Sequence, residues 1–266
     1  MTKKIFSISI LPVLFISWMI GLNFNSNQAS IMQPKVPTIK PAGSSVDFPD
    51  ATIVDLKIGK DLKSDSTLFN YTISGFELGN QTSDALDRAC ANSAKGQHIH
   101  LLLNNEPYEA WYEKSFKKKL AEGHYVALSF LSRSYHESLK GPKAYKITQF
   151  NVGKNAGTTK DDIDLKAPMV FFSRPKGEYI GEDAKKILFD FYVVNAKISD
   201  NEYKISYTLN TTSISTMGII NKWEPYFIEN LPMGKSSIKL QLIGKDGKPL
   251  TGPHTSAERS FELREQ

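Results

Sequence analysis

The sequence predicts an all-β protein made of two tandem immunoglobulin-like β-sandwiches behind an N-terminal signal segment. Three observations point there. Apolar residues recur in short runs separated by turn residues, and no long stretch carries helical periodicity. The pattern of one half returns in the other half, roughly a hundred residues later. At 266 residues, 40% apolar and 11% aromatic, the chain can fill two such cores. A barrel of the same strand count is the alternative architecture.

Residues 1–29 read as a signal peptide or an N-terminal anchor. Lys3 and Lys4 precede an apolar stretch from Ile5 to Leu22, and the polar "NFNSNQAS" follows, with cleavage expected after Ala29. If uncleaved, residues 5–22 would be the chain's only membrane contact. The expected location is therefore periplasmic or secreted. Loss of residues 1–29 removes two lysines and lowers the net charge from +5 to +3. That balance, without an arginine-rich tract, does not predict nucleic acid as a partner. Cys90 is the only cysteine, so no intrachain disulfide can form and packing must hold the fold. Residues 30–47, with prolines at 34, 37 and 41, read as an extended linker.

The first sandwich is expected over 48–152, a glycine-rich polar linker over 153–167, and the second sandwich over 168–266. The run from Leu68 to Ile73 matches that from Leu188 to Val193 at an offset of 120. Asn104 matches Asn210 at 106, and Tyr112, Phe116, Leu120 and Gly123 match Trp223, Phe227, Leu231 and Gly234 at 111. Val126, Leu128 and Phe130 then pair with Ile238, Leu240 and Leu242 at 112 as core positions. The fall from 120 to 106 places 14 extra residues in the first copy, in the loop 79–97 that carries Cys90.

The second copy sets the phase of "GQHIHLLLN". Ile205, Tyr207 and Leu209 form the inward series of "YKISYTLN", so Ile99, Leu101 and Leu103 face inward in the first copy. Side chains alternate along a strand, so His98 and His100 point outward, where the second copy has Lys204 and Ser206. In this topology the inserted loop and the loop "SRSYHESLKGPK" lie at one end of the sandwich. His98, His100, Lys95, Cys90, Arg133, Tyr135 and His136 are therefore candidates for one site on loops held by a rigid scaffold.

Two chemistries suit that set. His98 and His100 at alternate positions of one strand face, with His136 and the Cys90 thiol, form a nitrogen and sulfur donor set for copper or zinc. Alternatively, Arg133, Tyr135, His136, His98, His100 and Lys95 offer donors to an anionic, phosphorylated ligand, arginine in bidentate fashion. The run Lys117-Lys118-Lys119 reads as a solvated edge. No G-x-S-x-G elbow, H-E-x-x-H motif or phosphate loop is present, and neither Glu106 nor Glu137 sits in a catalytic pattern, so no enzyme is predicted. Arg174 and Tyr179, in "FFSRPKGEYIG", read as packing at the entry to the second sandwich, with an acid as the partner Arg174 would meet.

The blocks "FPDATI", "CANSAKGQHIHLLLNNEPY", "FLSRSYHES", "FFSRPKGEY", "WEPYFIENLPMG" and "KDGKPL" resemble a group of exported bacterial proteins labelled phosphopeptide-binding protein. The resemblance runs from about Asp47 to Leu263, and "GQHIHLLLN" also looks like the start of a small exported domain of unknown function. It implies that Cys90, His98, His100, Arg133, Tyr135 and His136 lie in the blocks that define the group. Many members carry a lipid-anchoring cysteine, which this chain lacks. The leading expectation is an exported, non-enzymatic binding or accessory protein, its partner an unidentified protein or anionic ligand of the cell envelope. A copper- or zinc-binding periplasmic protein is the first alternative, and a structural envelope protein the second.

Overall fold

A computed structural model describes residues 35–60 and 65–266, and the expected signal or anchor over 1–29 lies outside them. Among the described residues no helix is long and apolar enough to cross a membrane. In the first sandwich, β2 (Thr52–Lys60), β3 (Thr67–Ser74) and β6 (Ser115–Lys118) form one sheet in the order β2-β3-β6. The other contains β4 (His98–Leu103), β5 (Glu109–Trp111), β7 (Gly123–Ser132) and β8 (Tyr145–Val152), ordered β5-β4-β7-β8.

The second sandwich repeats this plan. Its first sheet holds β9 (Met169–Arg174), β11 (Ile187–Val194) and β14 (Tyr226–Glu229). Its second is ordered β10 (Gly177–Ile180), β16 (Ser256–Arg264), β15 (Gly234–Ile243), β12 (Lys204–Asn210) and β13 (Ser215–Ile220). β3 pairs with β6 as β11 pairs with β14, and β4 sits between β5 and β7 as β12 sits between β13 and β15. Both units are immunoglobulin-like sandwiches, each closed over its own apolar core.

The repeat is displaced by one residue from the sequence alignment in β7. Ile99 lies opposite Leu131 and Leu103 opposite Ala127, while Ile205 lies opposite Leu242 and Leu209 opposite Ile238. The counterparts of Ile238, Leu240 and Leu242 are therefore Ala127, Ser129 and Leu131, at an offset of 111. Val126, Leu128 and Phe130 point out of the first sandwich. Because side chains alternate, one residue of slip exchanges the two faces. The sequence could not show the slip because β7 is apolar on both faces.

That outward face is covered by the second sandwich. Leu102, Tyr108, Val126, Leu128 and Phe130 pack on Met169, Phe171, Tyr192 and Val194 in a third core between the two units. Phe130 stacks on Tyr192 with ring centroids 4.6 Å apart. Polar contacts close its margins: the fully buried Asp190 accepts from the Ser138 hydroxyl at 3.1 Å and pairs with Lys140. Residues 35–266 accordingly form one compact unit rather than two freely linked domains.

Both expected linkers take part. Within 30–47, β1 (Thr38–Pro41) pairs antiparallel with β14 as an outer strand of the second sandwich. The chain then crosses to the first, where Arg133 donates to the Val46 carbonyl and Arg88 to that of Ser44. Within 153–167, Ile163, Leu165 and Ala167 pack against the shared core.

Candidate metal centre

The inserted loop is closed at its root by paired backbone bonds, from Gly79 N to Gln97 O at 2.8 Å and from Gln97 N to Asn80 O at 2.7 Å. Gly96 sits in this closure at φ +81°, where a Cβ would lie 2.3 Å from the Gly79 carbonyl oxygen, so only glycine fits. The loop is stapled to the β7–β8 loop, since Thr82 and Ser134 exchange two hydrogen bonds and Ser93 N donates to Ser134 O at 2.9 Å. The two loops are thereby fixed at the end of the sandwich where β4 begins.

His98, His100 and His136 converge there. A ring nitrogen of each lies within 4.8 Å of the others. His98 Nε2 is central, 2.9 Å from His100 Nε2 and 3.0 Å from His136 Nδ1. His98 and His100 do point away from the core of their own sandwich, but that face is not solvent: both are fully buried at the junction of the sandwiches. His136, at φ +67° in its loop, is half-buried and marks the solvent side.

The hydrogen-bond roles fix the direction of the lone pairs. His98 Nδ1 lies 2.7 Å from the Gly96 carbonyl, which can only accept, so Nδ1 carries the proton and Nε2 presents its lone pair. Ser173 Oγ lies 3.4 Å from His100 Nδ1 on the side away from His98. The single His98 lone pair faces two neighbouring imidazole nitrogens, and one lone pair cannot be a good acceptor for two in-plane N–H groups. A cation among the three nitrogens would resolve the conflict, and the Gly96 carbonyl would then hold His98 from behind as outer-shell groups do.

The electrostatics keep the imidazoles neutral. Burial lowers His98 to about 4, the Gly96 bond opposes this, and Arg174 and Lys176 add to it. Burial also holds His100 and His136 well below the usual histidine range, reinforced by Arg174, Lys176 and the neighbouring histidines. Neutral imidazoles are the ligand form, so protons do not compete with an ion at neutral pH.

The structure separates the other expected residues from this centre. Arg133 pairs with Glu137 at 3.1 Å, and Arg88 bonds the second oxygen of that carboxylate at 3.1 Å, so Arg133 braces the loop. Tyr135 is buried with its hydroxyl donating to Asp84 at 3.2 Å. Lys95 is exposed, its ammonium 5.5 Å from the Tyr112 ring centroid. Cys90 lies outside the histidine trio, and burial pushes its thiol up to about 11, so it keeps its proton. Arg133 and Tyr135 are thus claimed by nearby structural partners.

Sequence reasoning missed Tyr108, Arg174 and Lys176. The Tyr108 ring stacks on His100 with centroids 3.5 Å apart, and its hydroxyl lies 3.3 Å from His136 Nδ1. The Lys176 ammonium is 3.9 Å from the Tyr108 centroid and Arg174 Cζ is 5.5 Å from it. Arg174 does sit at the entry to the second sandwich, yet it donates to the Tyr179 hydroxyl at 2.9 Å, and no acid among the described residues pairs with it. The only sequence signal was the "SRPKGEY" block, whose approach to His100 depends on docking of the two sandwiches.

No protein-family model matches the chain, and no curated protein matches it in sequence. Among solved structures it is similar to the fibronectin(III)-like modules of Clostridium thermocellum CbhA, at 10% identity over 76% of this chain and 86% of that one, with a TM-score of 0.27. It is also similar to the chicken interferon gamma receptor alpha chain, at 9% identity over 82% and 100%, TM-score 0.25. A third is the tandem V-type region pair of the chitin binding protein VCBP3, at 10% identity over 86% and 100%, TM-score 0.23. At these values the site rests on its own geometry.

Proposed function

We propose that this is an exported binding protein whose ligand is a copper ion, held between the two sandwiches by His98, His100 and His136. The observation that carries the reading is the convergence of three neutral imidazoles, two fully buried and one half-buried, with nitrogen separations of 2.9 and 3.0 Å about His98 Nε2. A tetrahedral ion with bonds of about 2.0–2.1 Å would hold its nitrogens about 3.3–3.4 Å apart. A square arrangement with bonds of that length sets adjacent nitrogens about 2.9 Å and opposite ones about 4.1 Å apart, and Cu²⁺ prefers it. The two separations about His98 Nε2 are nearer the square than the tetrahedral value, with all three nitrogens within 4.8 Å, and on that spacing copper is the ion assigned ahead of zinc. The immunoglobulin-like scaffold supports the reading by presenting two of the ligands on one rigid strand.

The test is metal content and thermal melting of the purified protein with and without Cu²⁺ and Zn²⁺. The expected result is one copper per chain and a melting temperature that rises with Cu²⁺. Both effects should vanish in His98→Ala/His100→Ala. No bound metal and no shift would sink the proposal, and preferential binding of zinc would replace the assigned ion.

A further inference from the structure

Two positive side chains stand beside the histidine trio, and among the described residues the one carboxylate acting on either is Glu109, which favours the charge of Lys176 and is itself paired with Lys118. Arg174 is 8% exposed, its Nε has no hydrogen-bond partner, and its other guanidinium nitrogens meet neutral hydroxyls, those of Tyr179 and Tyr108. Lys176 lies on the Tyr108 ring and bonds the Tyr108 backbone carbonyl, another neutral group. Among the described residues neither forms an ion pair with a carboxylate, although exposed lysines elsewhere in the chain do. Tyr108 connects these cations to the trio, because its ring packs on His100 while its hydroxyl reaches His136 Nδ1. Buried charges are ordinarily paired, and an unpaired one is costly. A divalent ion on the histidines would deepen the imbalance by two more positive charges.

We propose that the centre is an anion receptor, in which the metal ion bound by the three histidines takes a small anion as its further ligand and Arg174 and Lys176 hold that anion from the outer side. The inference rests on the metal reading above. Three imidazoles leave a coordination position open on copper, and an anion entering it displaces a water molecule with no change of oxidation state. The unpartnered Arg174 Nε is the donor in waiting, and the planar guanidinium suits a carboxylate or an inorganic oxyanion. Entry is from the side of the half-buried His136 and Lys176. Because His98 and His100 are fully buried, no folded partner can reach them, and only a small ligand suits the site.

The experiment uses the full chain loaded with Cu²⁺, its copper content measured first, and azide as the probe. Saturable azide binding should appear as a new charge-transfer absorption. In Arg174→Gln the azide affinity should fall at least tenfold with the copper content unchanged, and Arg174→Lys should recover part of the loss. No azide response in copper-loaded protein, or equal azide affinity in Arg174→Gln, would overturn the receptor while leaving the metal reading intact. A chain that takes up no copper would overturn both. If Arg174→Gln fails to fold, Lys176→Gln on the half-buried rim makes the same measurement. It should show a severalfold weaker affinity, and an unchanged affinity would overturn the proposal.

Discussion

β4 and β12 are the same strand in two copies of one sandwich, yet only β4 carries histidines of the candidate site. Both place Ile, an apolar residue and Leu toward their own core, as Ile99, Leu101 and Leu103 and as Ile205, Tyr207 and Leu209. Their outer faces differ. On β12, Lys204, Ser206 and Thr208 remain half-exposed, whereas on β4, His98, His100 and Leu102 are buried beneath the second sandwich. The comparison teaches that docking creates the site. An imidazole pair on an open strand face meets water, whereas the same pair in the junction is stripped of water, joined by a third histidine and set beside two cations.

The sharpest way to break this comparison is to move the pair. Lys204→His/Ser206→His recreates the spacing on β12 without a lid, an inserted loop or a counterpart of His136. Its copper affinity, measured by competition with a chelator in a background lacking His98 and His100, should fall short of the native centre by roughly a hundredfold or more. Equal affinity would show that strand spacing alone suffices.

Next in size is the junction itself. Phe130 is fully buried against Tyr192, so Phe130→Ala should cost about 3–5 kcal/mol in denaturant unfolding, while Thr208→Ala on the open face of β12 should stay within about 0.5 kcal/mol. Similar costs for the two would mean that the junction is not a true core.

Acid offers a third test. His98 is held at about 4 against an ordinary 6.5, so between those values the unfolded chain binds protons that the folded chain refuses. The metal-free protein should therefore keep this stability above pH 6.5 and lose it as pH falls toward 4. His98 alone accounts for roughly 3 kcal/mol at about 1.4 kcal/mol per unit, and His100 and His136 act in the same direction. His98→Gln should flatten this slope in a urea series across pH, and an unchanged slope would place the acid sensitivity elsewhere.

The smallest expected effect concerns aim. In Gly96→Ala the new Cβ would meet the Gly79 carbonyl at 2.3 Å and shift the carbonyl that holds His98. Copper affinity should fall about 10–100-fold, as for other outer-shell changes. Full affinity in this variant would show that the Gly96 contact does not orient the ring.

Much of this was legible in sequence, for identifiable reasons. β3 and β11 announced the repeat because Phe69, Tyr71 and Ile73 keep the same inward phase as Phe189, Phe191 and Val193. The phase of His98 and His100 followed from Lys204 and Ser206. What lay on their far side did not, because a strand buried on both faces loses the alternation that would distinguish them, and β7 was misphased for that reason. Arg133 looked like a ligand donor because Glu137 is an equally ordinary partner four residues on, and nothing local showed that the two pair. Arg174 and Lys176 lie more than seventy residues beyond His98 and His100 in the chain and reach them only through the docked interface.

The strand β1 gives the molecule a latch. The chain segment leading into the first sandwich is bonded along β14 of the second, with Lys40 paired to Glu229 across the seam. Traction applied at Lys35 would thus load the farther sandwich before the nearer one. Its four residues of strand are what such traction would peel first. Such a fastening makes exposure of the buried histidines a matter of mechanical sequence, in which the tether yields before the junction opens.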